Sequence, residues 1–190
     1  MVTQAEKTKA RVVNGINVDE LFNLIDGVKQ DAAKGQTNWR VTNTWQGQTR
    51  SRAQVDGFTI GGKTVSRQFT FDVDEPLEIG GSNRFANPQE YLIAALNACM
   101  VVGYAAQCAV RGITIENLAI ETEGKIDLRG FLGIDPAVPA GYEELRSVVR
   151  IKGNGTKEQF AEIHAAVVAT SPNFHNISRP VALKPQLIID

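Results

Sequence analysis

The 190-residue sequence predicts an α+β fold, on three observations. Residues 87–112 read as one long helix, apolar on every face. The stretches on either side of it alternate with a period of two. Two further helical patterns lie outside these, one near the start and one near the end. The order is helix, strands, long helix, strands, helix, strand, which groups the strands instead of interleaving them with helices.

The long helix starts at Asn87-Pro88, a capping side chain followed by a residue whose φ is already helical. Glu90 suits the positive end of the helix dipole, and Arg111-Gly112 supplies the stop. Leu92, Ile93, Leu96, Met100, Val101, Val102 and Val110, with many alanines, cover the whole circumference, as expected of a membrane span or the buried axis of a core. Its length would cross a bilayer. Asn97 and Gln107 inside it, and the lack of a second such segment, favour the buried axis.

Upstream, residues 1–15 are polar and are expected to form a loose or exchanged arm. Asn17-Val18-Asp19-Glu20 opens a helix running to Lys34-Gly35, with Val18, Leu21, Phe22, Leu24, Ile25 and Val28 on one face. Residues 39–48 and 50–55 read as strands. A turn at Asp56-Gly57 or Gly61-Gly62 precedes a strand over 64–73, and residues 77–85 are a loop. Downstream, residues 113–126 read as a strand bent near Glu116-Asn117, residues 128–142 as an irregular excursion, and residues 145–152 as another strand. Thr156 and Gln159 have capping-box spacing at the start of a helix to about residue 169. Ser171-Pro172 ends it, residues 173–178 lead on as a loop, and 180–189 make a last strand. The expected domains are an N-terminal arm and helix (1–37) and a main domain (38–190).

Composition narrows the functional classes. A net charge of −1 argues against a general binder of nucleic acid or acidic membrane. The polar start does not read as a signal peptide, so a cytoplasmic protein is expected. Two cysteines and two histidines without local spacing make no zinc site, and no cofactor motif is present. Cys99 and Cys108, nine residues apart on one helix, lie about 13 Å apart along its axis, beyond disulfide reach.

Cys99 is the first chemical candidate. A cysteine in an apolar helix is commonly an inert small hydrophobe, and Cys108 is read that way. A reactive thiol needs a cation to hold it as thiolate, and Arg50, Arg52, Arg67, Arg179 and His175 are the candidates. The stretch 173–180, with His175, Asn176, Ser178 and Arg179, is the second candidate. Functional loops gather at such places, although a polar turn with His175 exposed is the plainer reading.

The segment Asn87-Pro88-Gln89-Glu90-Tyr91-Leu92-Ile93-Ala94-Ala95-Leu96-Asn97-Ala98-Cys99-Met100 resembles the hallmark helix of the OsmC/Ohr family of thiol-dependent hydroperoxide reductases. The order of the later elements follows the family as well, over roughly residues 38–190. The resemblance implies an OsmC-like fold in which antiparallel sheets wrap long buried central helices in an intertwined homodimer, with active sites at the subunit interface. It implies that Cys99 is the peroxidatic thiolate and Arg50 its activating cation, with Arg52 as the alternative. Two positions depart from the family pattern. Ser171 stands where the resolving cysteine falls, and Gln89 stands where an acidic partner of the arginine falls, with Glu90 beside it.

The expected function is therefore reduction of organic hydroperoxides through one cysteine, with an external thiol or dithiol as reductant. The alternative is an OsmC-fold protein without peroxidase activity that binds a small apolar ligand at the dimer interface. A third reading is other thiol chemistry with His175 as the base. The helix over 18–34 is expected on the outside of the dimer, covering its apolar face.

Overall fold

A computed structural model of the chain describes residues 10–189. It divides into two compact units, one ending at Leu92 and the other beginning at Ile93.

The first unit opens on a small hairpin, β1 (Val12–Val13) and β2 (Ile16–Asn17), turned through Asn14 and Gly15 at φ 53° and 78°. Part of the expected loose arm is thus paired; residues 1–9 lie outside the described range. Asn17 then caps α1 (Val18–Gln30), accepting from the amides of Asp19 and Glu20. The helix ends earlier than Lys34, because Asp31 leaves the helical region and caps a 3-10 turn, Ala32–Gly35.

A four-stranded antiparallel sheet follows. Residues 39–48 are not one strand: β3 (Thr37–Trp39) and β4 (Thr42–Trp45) each pair with β5 (Ser51–Ile60). Their registers, Thr37 with Ile60 and Thr42 with Gln54, differ by one residue, which breaks the strand at Arg40-Val41. Gly61-Gly62 makes the turn to β6 (Lys63–Val73), whereas Asp56-Gly57 falls at a bulge inside β5.

The core of this unit is small: Val18, Ala53, Val73 and one charged residue, Asp74. Asp74 is fully buried and well satisfied. It accepts from the hydroxyls of Thr49 (2.8 Å) and Ser82 (2.6 Å) and from the amide of Arg84 (3.1 Å). Those bonds hold its carboxyl well below the usual range, the Ser82 hydroxyl contributing most. They fold the segment after β6 back on the sheet.

The long helix, α2, runs from Pro88 to Val110. Its start is a reciprocal capping box: Asn87 Oδ1 accepts from Glu90 N (2.8 Å), and Glu90 Oε2 accepts from Asn87 N (2.7 Å). One turn on, Tyr91 donates to the carbonyl of Asp72 (2.8 Å) and packs on Phe71. Gly112, at φ 69°, closes the far end in the left-handed conformation.

In the second unit, β7 (Ile115–Gly124) pairs antiparallel with β8 (Leu145–Gly153), with a bulge between Ile115 and Asn117 where the bend was expected. The excursion between them holds one helical turn, α3 (Leu128–Phe131). Thr156 and Gln159 form both bonds of the capping box of α4 (Lys157–Thr170). The core packs Leu96, Met100, Tyr104 and Cys108 of α2 with Ile163 and Val167 of α4 and with Ile113. Gly103 makes the close approach possible, since a Cβ there would stand 3.2 Å from Val167 Cγ1.

Three expectations need correction. The helix α2 is not buried on all sides within one chain: its buried stripe is Leu96, Met100, Tyr104 and Cys108, spaced by four, with neighbouring Ala109, while Val102 is 68% exposed. Residues 173–178 are not a loop but α5 (Pro172–Ser178), because Ser171 caps it and Pro172 starts it. The last strand over 180–189 is not formed. Those residues carry no regular structure, Leu183 and Leu187 are largely exposed, and neither Pro180 nor Pro185 can donate to a ladder.

Candidate active site

Cys99 lies on the second-unit part of α2, half-buried, whereas Cys108 is sealed in the core and its thiol is pushed up by burial. Beside Cys99 stands Ser171. Its hydroxyl donates to Cys99 Sγ at 3.3 Å, and its oxygen accepts from the amide of Phe174, also at 3.3 Å. Ser171 is 5% exposed, so this hydroxyl faces the sulfur largely out of water.

The chain delivers Ser171 there through two helix ends. Its amide closes the last turn of α4 on Val167 O (2.9 Å), and its carbonyl accepts the His175 amide in the first turn of α5 (3.0 Å). Asn173 fastens the second end to α2, donating from Nδ2 to Ala95 O at 2.8 Å. Two residues before Cys99, Asn97 donates to Ile120 O (3.3 Å) and accepts from Thr122 Oγ1 (2.6 Å), and Thr122 is also bonded to Ser147 Oγ (2.7 Å). Polar bonds thus flank the cysteine turn on an otherwise apolar helix, which fixes its rotation about its axis.

Of the predicted site residues, the second unit brings Cys99 and Ser171 together. His175 lies on α5 but is exposed. Arg179 is the C-cap residue of α5. The remaining residues belong to the first unit. Arg52 is committed to Asp72, as a fork with Nε at 2.8 Å and Nη2 at 3.0 Å from its carboxylate oxygens. Arg67 spreads over the rings of Trp39, Phe58 and Phe69. Arg50 is half-buried. Its Nη2 donates to Gln46 O (3.1 Å), while its Nε has no hydrogen-bond partner. Gln89 is exposed, and Glu90 is held by Asn87.

Asn173 and Thr122 were not legible as site residues. An asparagine right after Ser-Pro reads as turn chemistry, and a threonine in a strand reads as β propensity. Asn97 gave a signal, as a polar residue in an apolar helix, but not its role.

A cleft of about 430 Å³ lies in the same unit, lined by Glu123, Gly124, Lys125, Glu143, Glu144 and Arg146. That lining is charged and does not suit an apolar ligand.

A half-buried thiol facing a hydroxyl, on a helix pinned by polar bonds, is thus set in a protein of the α+β class. Two solved structures agree on the fold. An OsmC-like protein from Mycoplasma pneumoniae superposes with a TM-score of 0.57 at 17% identity, covering 74% of this chain and 87% of that one. An OsmC-like protein of unknown function from Vibrio cholerae gives 0.52 at 14% identity, covering 72% and 91%. An organic hydroperoxide resistance protein from Legionella pneumophila superposes less closely, with a TM-score of 0.43 at 18% identity, covering 72% and 87%. No curated protein matches in sequence. The family model for OsmC-like proteins matches residues 81–186, more than half of the chain and both Cys99 and Ser171. The chain belongs to the OsmC-like family.

Proposed function

We propose that the protein reduces organic hydroperoxides through Cys99, with an external thiol as reductant. One observation carries the reading. Within the family helix, Cys99 is left half-buried beside a hydroxyl donor, while Cys108, nine residues on, is sealed among hydrocarbon. A thiol that only fills space belongs in the second setting.

In the proposed cycle the Cys99 sulfur attacks the distal oxygen of the hydroperoxide. The O–O bond breaks, the alcohol leaves with a proton, and the sulfur becomes a sulfenic acid. Ser171 cannot supply a resolving sulfur. An external thiol therefore condenses with the sulfenic acid, releasing water, and a second thiol reduces the mixed disulfide. Arg50 is the cation proposed to hold the thiolate and orient the peroxide. Its free Nε supports that choice over Arg52, whose charge Asp72 already takes. A homodimer is part of the proposal, supported by the apolar residues that α2 leaves exposed, Leu92, Val101 and Val102 among them. Its location is proposed as cytoplasmic.

The test is single-turnover consumption of cumene hydroperoxide by the reduced protein, with sulfenic acid trapped and located by mass spectrometry. Fast consumption with one trapped oxidation at Cys99, lost in Cys99→Ser and kept in Cys108→Ser, is expected. Oxidation no faster than that of a free thiol would reject the reading. Light scattering of the full chain tests the dimer.

A further inference from the structure

We propose that Ser171 is a positioning residue for Cys99, its hydroxyl proton being directed onto the sulfur by the bonding of every other polar group it owns. The inference rests on the reading of Cys99 as the reacting thiol, and it assigns that thiol a local hydrogen-bond donor.

Ser171 N–H is spent on Val167 O at 2.9 Å, and its carbonyl takes the His175 amide at 3.0 Å. Its side-chain oxygen accepts the Phe174 amide at 3.3 Å. What remains is the hydroxyl proton, and among the described residues the acceptor it reaches is Cys99 Sγ at 3.3 Å. A serine hydroxyl ordinarily rotates among partners. Here the residue is nearly buried, and Asn173 ties the same turn of chain to α2 through Ala95 O. The donor has one direction to point.

Sulfur accepts a hydrogen bond far better as thiolate than as thiol, so a fixed donor favours the form that attacks. In the attack the sulfur gives its electron pair to the distal peroxide oxygen, the O–O bond breaks, and the departing alkoxide takes up a proton. Ser171 changes neither bond nor oxidation state; it orients the sulfur throughout.

The experiment is the rate of Cys99 alkylation by iodoacetamide at neutral pH, followed site by site by mass spectrometry on the full chain. Wild type is compared with Ser171→Ala, Ser171→Gly and Ser171→Thr. Loss of one directed hydrogen bond predicts alkylation about three- to tenfold slower in the Ala and Gly variants. Thr, which keeps the hydroxyl, should come back to within about twofold of wild type. Gly is included because it keeps most of the capping stability, so a folded hydroxyl-free chain is available even if Ala is not. Unchanged or faster alkylation without the hydroxyl, or a folded Thr variant as slow as Gly, overturns the inference. Peroxide consumption by the same proteins separates the two readings. Serine-dependent alkylation in a chain that consumes no hydroperoxide upholds the positioning role and removes the peroxidase.

Discussion

Asn173 donates its side-chain amide to the carbonyl of Ala95 at 2.8 Å, and that carbonyl sits four residues before Cys99. In a regular helix the same carbonyl accepts the amide of Cys99 itself. The start of α5 is therefore fastened to the helical turn that carries the thiol, and the spacing between Ser171 and the sulfur is held from both sides.

Replacing Asn173 by Ala should cost about 0.5–1.5 kcal/mol, the usual worth of such a bond. It should also slow Cys99 alkylation, since Ser171 loses its anchor. Urea unfolding reads the first effect and the alkylation rate the second. An Asn173→Ala chain that is less stable but alkylates at the wild-type rate would show that the clamp serves stability alone.

Ser171→Cys puts a second sulfur where the hydroxyl now touches Cys99. On treatment with one equivalent of cumene hydroperoxide, the variant should form a disulfide between Cys99 and the introduced thiol, detected as the loss of two hydrogens with both peptides linked. Wild type should instead hold a trappable sulfenic acid. Accumulation of sulfenic acid in the variant would show that the two residues do not share a site in solution.

Much of the fold was legible in local signals. Asn87-Pro88, Arg111-Gly112 and the Thr156–Gln159 pair are local signals, and they located α2 and α4 to within a residue or two. The break at Arg40-Val41 is a register shift against β5, which no single-strand pattern encodes. The last strand misled for the opposite reason. Val181, Leu183, Leu187 and Ile189 alternate as a strand should, but alternation states only that a segment could pair, not that this chain holds an edge for it. Of the site, Cys99 stood out through the motif around it. Ser171 was named through the same resemblance, at the resolving position, but its role as a donor was not legible, because its contact with Cys99 joins residues 72 apart.

The buried carboxylate of the first unit predicts an acid limit to stability. Asp74 is charged in the fold and held below its unfolded value by Ser82, Thr49 and the Arg84 amide. A depressed carboxyl stabilises above its unfolded pKa, near 3.9, and loses that contribution as pH falls toward the folded value. Thermal unfolding should therefore show the melting temperature falling with acidification below about pH 5. Asp74→Asn should lower it at pH 7 and flatten the acid slope. A slope unchanged in Asp74→Asn would move the acid sensitivity to other groups.

Asn97, Thr122 and Ser147 form a chain of side-chain bonds inside the second unit, and its members should be coupled energetically. Asn97→Ala removes the acceptor of the Thr122 hydroxyl and the donor to Ile120 O, and should cost about 1–3 kcal/mol. Thr122→Val alone should cost about as much, because the Asn97 side-chain carbonyl is then unpaired in a partly buried place. With both groups gone no polar atom of the pair is left wanting, so the double variant should cost less than the sum by about 0.5–3 kcal/mol. Chemical unfolding of the four proteins measures the difference directly. Strict additivity would mean that water replaces each lost bond. The network would then not fix the rotation of α2, and Cys99 would have to be oriented by α5 alone.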